Sequence, residues 1–153
     1  LGDIEIDPNG LTCDDWLDLL MTHRLQPGFD RDGILVVYDY PPSQCALAKL
    51  RAGPDGEAAV AERFELYFGP LELANGYHEL TAAPEQRARF LRDHVVRGER
   101  GAVRPPPDEA LLAAIAAGLP ACAGVALGIE RLLMAMLGTD RIADVLAFDS
   151  SRA

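Results

Sequence analysis

Basic residues are scarce in this chain: 14 Lys and Arg stand against 24 Asp and Glu in 153 residues, a formal net charge of −10. That balance argues against a module that grips nucleic acid by broad phosphate neutralisation, while leaving room for a local cationic pocket. Cysteine is sparse too. Cys13, Cys45 and Cys122 lie far apart, no CxxC pair is present, and His23, His78 and His94 do not cluster with them. The pattern speaks against a zinc site and a disulfide framework, and fits a reducing, cytoplasmic compartment. Long apolar runs are missing with one exception, Ala110 to Ile129, which carries no charge over twenty positions. Twenty residues is the length of a membrane span, but this run is mostly Ala and Gly, with Gly118 and Pro120 in its middle. Small residues supply little transfer energy and the proline breaks a helix, so a buried helix, a turn and a buried strand are expected there, and no membrane partner. A secretory leader is not expected either, because the opening "LGDIEIDPNG" is acidic. Starting on Leu and entering at once into that segment, the sequence reads as a piece of a longer protein.

What is present is ordinary for a soluble globular chain: 49% hydrophobic and 25% charged residues, enough for one domain with a single sizeable core. "TCDDWLDLLMTHRL" offers Thr12 as an N-cap with Asp15 three residues on, then an apolar stripe of Trp16, Leu19 and Leu20; a helix over 13–24 is predicted. "GILVVYDYPP" predicts a buried strand from Ile34 to Tyr38, stopped by Pro41-Pro42. "RAGPDGEAAV" reads as a turn-rich connection. "TAAPEQRARFLRDHV" predicts a helix with Thr81 as N-cap, "RGERGAVRPPPDE" a linker, and "DEALLAAIAAG" a second helix ended by Gly118 and Pro120. Hairpins and helices without βαβ alternation give an α+β fold, an antiparallel β-sheet flanked by helices.

The stretch "RFELYFGPLELANGYHEL" carries the first chemical signal. Glu65, Glu72 and Glu79 are spaced by seven, which suggests two helical turns, but the apolar residues deny a helix. Phe64, Leu66 and Phe68 alternate with Arg63, Glu65 and Tyr67, and Leu71, Leu73 and Asn75 alternate again with Glu72 and Ala74. Period two around Gly69-Pro70 predicts a β-hairpin. A two-residue turn then puts Glu65 and Glu72 on one face as diagonal neighbours, about 7–8 Å apart between Cα atoms. Two carboxylates so placed favour a raised pKa or a bound cation, and hard oxygen donors in small number suit magnesium carried by nucleotide phosphates. The plainer reading is a polar outer face pointing into water. Asn75-Gly76 permits a sharp turn, after which Glu79 could pair with an ammonium group whose apolar stem Tyr77 covers.

The second signal is "GVALGIERLL". Gly124 and Gly128 surround small apolar residues ahead of Glu130-Arg131 at a helix start. The offsets are not those of the dinucleotide fingerprint. Glycine here would let a flat ligand lie against the backbone, and Arg131 could lie over a base or near phosphate. Taken alone, an arginine paired with a surface acid is the simpler alternative.

Together, "RFELYFGPLELANGYHEL" and "GVALGIERLLMAMLGTDRIADVLAF" resemble the C-terminal half of a class II lysyl-tRNA-synthetase catalytic domain, the second stretch being similar to class II motif 3. The likeness runs from about Ile34 to Phe148. Within that family, "DYPPSQCALAKL" and "ANGYHEL" look closer to the short paralogues that are elongation factor P lysine ligases: the synthetase typically has serine where His78 stands and glycine where Ala126 stands, the latter in the amino-acid pocket. The resemblance implies that Glu65 and Glu72 hold magnesium on ATP, that Glu72 and the Leu73 backbone contact the nucleotide, and that Gly128 and Arg131 shape and cover the adenine pocket, Arg131 being the catalytic candidate. It further implies that Asn75, Tyr77, Glu79 and Ala126 receive lysine or β-lysine, with Glu79 taking the side-chain ammonium. The implied reaction forms an aminoacyl-adenylate and passes the acyl group to a lysine of elongation factor P, not to tRNA. The class motifs 1 and 2, which build the dimer interface and grip the α-phosphate, have no counterpart here. The expectation is therefore one part of a single catalytic domain, homodimeric at full length and inactive or very weak in isolation. A fragment of a true lysyl-tRNA synthetase and a non-catalytic binding relic of the fold remain as alternatives.

Overall fold

The computed structural model describes residues 7, 9–53 and 59–149; most of the opening "LGDIEIDPNG" and the centre of "RAGPDGEAAV" lie outside them. Among the described residues the elements are helices α1 (Cys13–Leu20), α2 (Ala83–Glu99), α3 (Glu109–Ala116) and α4 (Ile129–Leu137), and strands β1 (Ile34–Tyr40), β2 (Leu50–Arg51), β3 (Val60–Phe68), β4 (Leu71–His78) and β5 (Ala123–Leu127). The strands form one sheet in the order β1-β3-β4-β5, with β2 beside β3. β2 runs antiparallel to β3, pairing Leu50 with Ala61 and Arg51 with Val60. β3 and β4 are joined by the two-residue Gly69-Pro70 turn, the hairpin that period-two alternation predicts. The fold is α+β, an antiparallel sheet with flanking helices.

The chain packs as two compact units, one drawn from residues 1–38, 64–76 and 125–153, the other from 39–63 and 77–124.

In the first unit α1 starts as the sequence dictates. The Thr12 hydroxyl accepts from the Asp15 N–H at 3.2 Å and the Asp15 carboxylate accepts from the Thr12 N–H at 2.8 Å, a reciprocal cap. The helix continues as a π-turn over Met21–Leu25 and a 3₁₀-turn over Gln26–Gly28. The hairpin tip is tied to this region: the Gln26 side chain donates to the Pro70 carbonyl at 2.6 Å and the Gly69 N–H to the Gly33 carbonyl at 3.2 Å. Gly69 adopts φ +52°, and a Cβ there would lie 3.2 Å from the Arg31 backbone, so both conformation and space ask for glycine. Tyr67, Leu73, Ala74 and Met134 form the buried core of this unit, with Phe29 meeting the Tyr67 ring edge-on at 5.3 Å. α4 ends at Gly138 in the left-handed conformation.

In the second unit Asp108 caps α3 by accepting from the Leu111 N–H at 2.9 Å. α2 and α3 pack together, clasped by a two-pronged Arg87–Glu109 pair at 2.8 and 2.6 Å. Ala48, Ala61, Leu80, Leu112 and Ile115 are buried here, together with two polar side chains of α2, Gln86 and Arg89.

Several expectations are corrected. The strand over Ile34–Tyr38 exists but is not buried: Ile34 is 70% and Tyr38 69% exposed. The same holds for β5, where Val125 is 63% exposed. Both strands end the strand order, and apolar character reports an affinity for cover without stating which chain segment supplies it. α2 begins at Ala83 after Ala82, with no side-chain cap, so Thr81 is not its N-cap; Pro84 in the first turn fixes the start instead. Asn75-Gly76 makes no turn either. β4 runs through both residues to His78, because neighbouring strands supply the pairing that favours extended backbone.

Candidate functional site

In the first unit the hairpin decides which face its glutamates take. Along β3 the buried positions are Ala61, Glu65 and Tyr67, whereas Phe64, Leu66 and Phe68 are only partly covered. The polar face of β3 is therefore the inner one, and the reading of Glu65 as a solvated outer residue is wrong. Glu65 is 9% exposed and accepts a hydrogen bond from the buried Tyr67 hydroxyl. A carboxylate so far from water needs donors or a cation.

Glu72 on β4 is half-buried and shared. Its Oε1 lies 3.5 Å from the Asn75 amide nitrogen, and its Oε2 3.7 Å from Arg131 Nη1, which also donates to the Glu72 carbonyl at 2.9 Å. The surface-pair reading of Arg131 is thus half right. The contact to the backbone is short and that to the carboxylate loose, and the guanidinium is half exposed, with no further partner among the described residues. Leu73 gives its carbonyl to the Gly128 N–H at 2.9 Å, which fixes the entry to α4 against β4. Gly128 is the N-cap of α4 at φ −76°. A Cβ there would meet the Arg131 side chain at 3.5 Å, an ordinary contact, so the chain itself does not demand glycine at this position. Ala126 is exposed on β5.

The second unit holds the end of β4 and the segment beyond it. Tyr77 is partly buried, and His78 Nδ1 lies 2.6 Å from Glu62, which also pairs with Arg51 at 3.4 Å. Past the strand, Glu79 is strapped on both sides. Its N–H donates to the Cys122 carbonyl at 2.9 Å, and it forms an isolated antiparallel bridge with Ala48. The flanking bonds run from the Lys49 N–H to the His78 carbonyl (2.7 Å) and from the Leu80 N–H to the Leu47 carbonyl (3.0 Å). The Glu79 carboxylate itself has neither a hydrogen-bond donor nor an ion-pair partner among the described residues. It is a negative charge on a fixed backbone, open to a cationic ligand.

The segment that braces Glu79 is held by a residue that sequence reasoning missed. Arg89, 7% exposed on α2, donates to the Ala46 carbonyl at 3.1 Å and the Ala48 carbonyl at 2.7 Å, and pairs with Glu85 at 2.5 Å. Ala46 takes φ +44°, a strained value for alanine. The only sequence signal is the Glu85–Arg89 spacing of four, which normally marks an exposed pair.

The structure therefore gathers Glu65, Glu72, Leu73, Asn75, Gly128 and Arg131 in one unit, and Tyr77 and Glu79 in the other. Among the described residues no three His, Cys, Asp or Glu side chains are grouped to hold a metal ion, and no helix is long and apolar enough to cross a membrane.

Residues 18–152 match the model of the family described as tRNA synthetases class II (D, K and N). The chain is 46% identical over 140 residues to an elongation factor P–(R)-β-lysine ligase of Salmonella gallinarum (strain 287/91 / NCTC 13346), and 47% identical to its counterpart in Salmonella dublin. Each alignment takes in 92% of this chain and 42% of the relative, so the chain spans less than half the length of the curated proteins it resembles. With the match covering nearly all of it, the chain belongs to the class II tRNA synthetase family (D, K and N).

Proposed function

We propose that this chain is the C-terminal part of a class II catalytic domain that activates lysine or β-lysine with ATP and transfers it to a lysine of elongation factor P. The observation that carries the proposal is Glu79, whose backbone is held by hydrogen bonds on two sides and whose carboxylate has no cationic partner among the described residues. A primary ammonium is the complement such a group lacks. The 46% likeness to proteins named as (R)-β-lysine ligases of elongation factor P supports the same assignment, and a cytoplasmic location goes with it.

In this reading Glu79 binds the side-chain ammonium and Tyr77 covers the aliphatic stem, while Asn75 and Ala126 keep the amino-acid-binding roles that the family resemblance implies. The amino-acid carboxylate attacks the α-phosphorus, the bond to pyrophosphate breaks, and an aminoacyl-adenylate results. Glu65 and Glu72 supply hard oxygen donors, too few for a self-contained cage and suited to magnesium that arrives on a triphosphate. Magnesium would neutralise phosphate charge as pyrophosphate departs. Arg131, anchored by its bond to the Glu72 carbonyl, turns its remaining donors toward the nucleotide, with Gly128 leaving room beside it and the Leu73 backbone in reach. Catalysis of this kind is positioning and charge neutralisation, with no covalent enzyme nucleophile. The full-length protein would act as a homodimer with a protein acceptor rather than tRNA.

Calorimetric titration of the chain with lysine and (R)-β-lysine tests the proposal. One or both should bind, and Glu79→Gln should weaken binding by about tenfold or more, the worth of a charge-assisted pair. Failure of both to bind would refute the reading. Lysine-dependent ATP–pyrophosphate exchange by the isolated chain should be absent or very weak; strong exchange would show that it is not one part of a divided site.

A further inference from the structure

Gly124, at the start of β5, has a backbone φ that any residue can adopt, so its glycine is not required by conformation. What glycine leaves there is space, and the far end of the Glu79 side chain fills it. A Cβ built on Gly124 would overlap Oε1 of Glu79 and reach its Cδ at 3.4 Å. The Glu79 carboxylate thus lies directly over the Gly124 backbone, in the volume that any other side chain would fill. The rest of Glu79 cannot retreat. Its N–H is bound to Cys122, two residues before Gly124, and its other side is bridged to Ala48, which is fully buried. Only the side-chain torsions are left to absorb an added methyl.

We infer that Gly124 is a positioning residue: its missing side chain is the seat of the Glu79 carboxylate, and it thereby sets selectivity for a ligand ending in a primary ammonium. This rests on the reading of Glu79 as the ammonium acceptor. The contrast with Gly128 sharpens the point, since a Cβ there meets only ordinary contacts. To relieve the overlap, the Gly124→Ala carboxylate must move by about 1 Å, a displacement of the size that costs a charge-positioning group roughly tenfold to a hundredfold. The backbone straps are untouched, so the fold should survive.

The experiment compares the chain with its Gly124→Ala, Glu79→Gln and doubly substituted forms. Melting temperature is recorded, together with affinity for whichever lysine isomer binds and for norleucine, which has the aliphatic stem without the side-chain ammonium. Gly124→Ala should melt near the unsubstituted chain, lose at least tenfold in lysine affinity and keep its norleucine affinity within twofold. On the Glu79→Gln background it should cause no further loss. Equal weakening of lysine and norleucine, full additivity with Glu79→Gln, or unchanged lysine binding would each overturn the inference while leaving Glu79 as the ammonium acceptor. If the unsubstituted chain binds no lysine isomer, the reading of Glu79 fails and the inference falls with it. Should Gly124→Ala not fold, adding Glu79→Ala, which removes the overlapping carboxylate, should restore folding, and no recovery would count against the proposed overlap.

Discussion

Replacing Arg89 with methionine asks how far one buried guanidinium holds the strap beside Glu79. Methionine keeps much of the apolar stem and removes the charged fork, so the loss is mainly polar. Two carbonyls lose their donor, and they are not equivalent. Ala48 is 0% exposed, so its carbonyl, bonded at 2.7 Å, cannot turn to water; leaving it unsatisfied costs about 2–3 kcal/mol. The Ala46 bond is longer at 3.1 Å and only partly buried, and water can replace it at a cost of about 1 kcal/mol. The Glu85 partner is 46% exposed, which leaves that pair worth about 0.3–0.5 kcal/mol. The sum is roughly 3–4.5 kcal/mol, which at the usual urea dependence shifts the unfolding midpoint down by about 1–4.5 M. The effect should also be local. Hydrogen exchange at the Lys49 and Leu80 amides, which tie the strap to the His78–Leu80 segment, should accelerate more than at Leu112 in α3. Arg89→Lys, which keeps the charge on a single donor nitrogen without the fork, should fall about halfway. A loss below about 1 kcal/mol, or uniform acceleration of exchange, would refute the argument that the two carbonyls depend on this fork.

Gly69→Ala should destabilise the chain by about 1–2 kcal/mol in the same assay, because φ +52° is costly for an L side chain and the new Cβ would press on the Arg31 backbone at 3.2 Å; an unchanged midpoint would mean the turn relaxes freely. The Arg87–Glu109 clasp gives a pH dependence of defined sign. The hydrogen bond from Arg87 holds the Glu109 carboxyl below the usual glutamate range, and the same bond raises the arginine. A depressed carboxyl stabilises fully above its unfolded pKa of about 4.3 and loses that contribution as pH falls through the lower folded value. Both groups are exposed, so the effect is small. The melting-temperature gap between the chain and its Glu109→Gln form should be steady from pH 7 to 5 and close below about pH 4; a gap that widens on acidification would contradict the assignment.

The features legible in the sequence are those set by local chemistry. Thr12 with Asp15 and Gly69-Pro70 each act within a few residues of themselves, and each does in the fold what its pattern says. Alternation along 63–68 locates β3 and the parity of its side chains, but parity does not say which face is inner. That choice belongs to whatever packs on the strand, and it puts Glu65 and Tyr67 inside with Phe64, Leu66 and Phe68 only partly covered. Arg89 is hidden for the complementary reason: an arginine four residues after a glutamate looks like a solvated pair, and only the Ala46 and Ala48 carbonyls explain its burial. Gly124 stands out in the sequence as a glycine but does not announce Glu79, its neighbour in space 45 positions away along the chain.

Even spacing makes Glu65, Glu72 and Glu79 look like one set, yet their surroundings give them different capacities. Glu65 is nearly excluded from water and already accepts from Tyr67, so a ligand there must replace lost hydration with a strong, compact charge. Glu72 is half open and loosely paired with Arg131 at 3.7 Å, a distance at which a stronger cation could displace the guanidinium without breaking its 2.9 Å bond to the carbonyl. Both conditions suit a small divalent ion better than an organic ammonium, whose binding would gain little at a carboxylate already shared with an arginine. Glu79 is the reverse case: it has no partner among the described residues, a backbone strapped on two sides, and a carboxylate seated in the space that Gly124 leaves empty. An unneutralised charge on an anchored backbone discriminates by position, which is what the proposed recognition of one ammonium at the end of an aliphatic chain requires. The division of labour proposed for the three glutamates therefore rests on burial, pairing and backbone anchoring, and the spacing of seven plays no part in it.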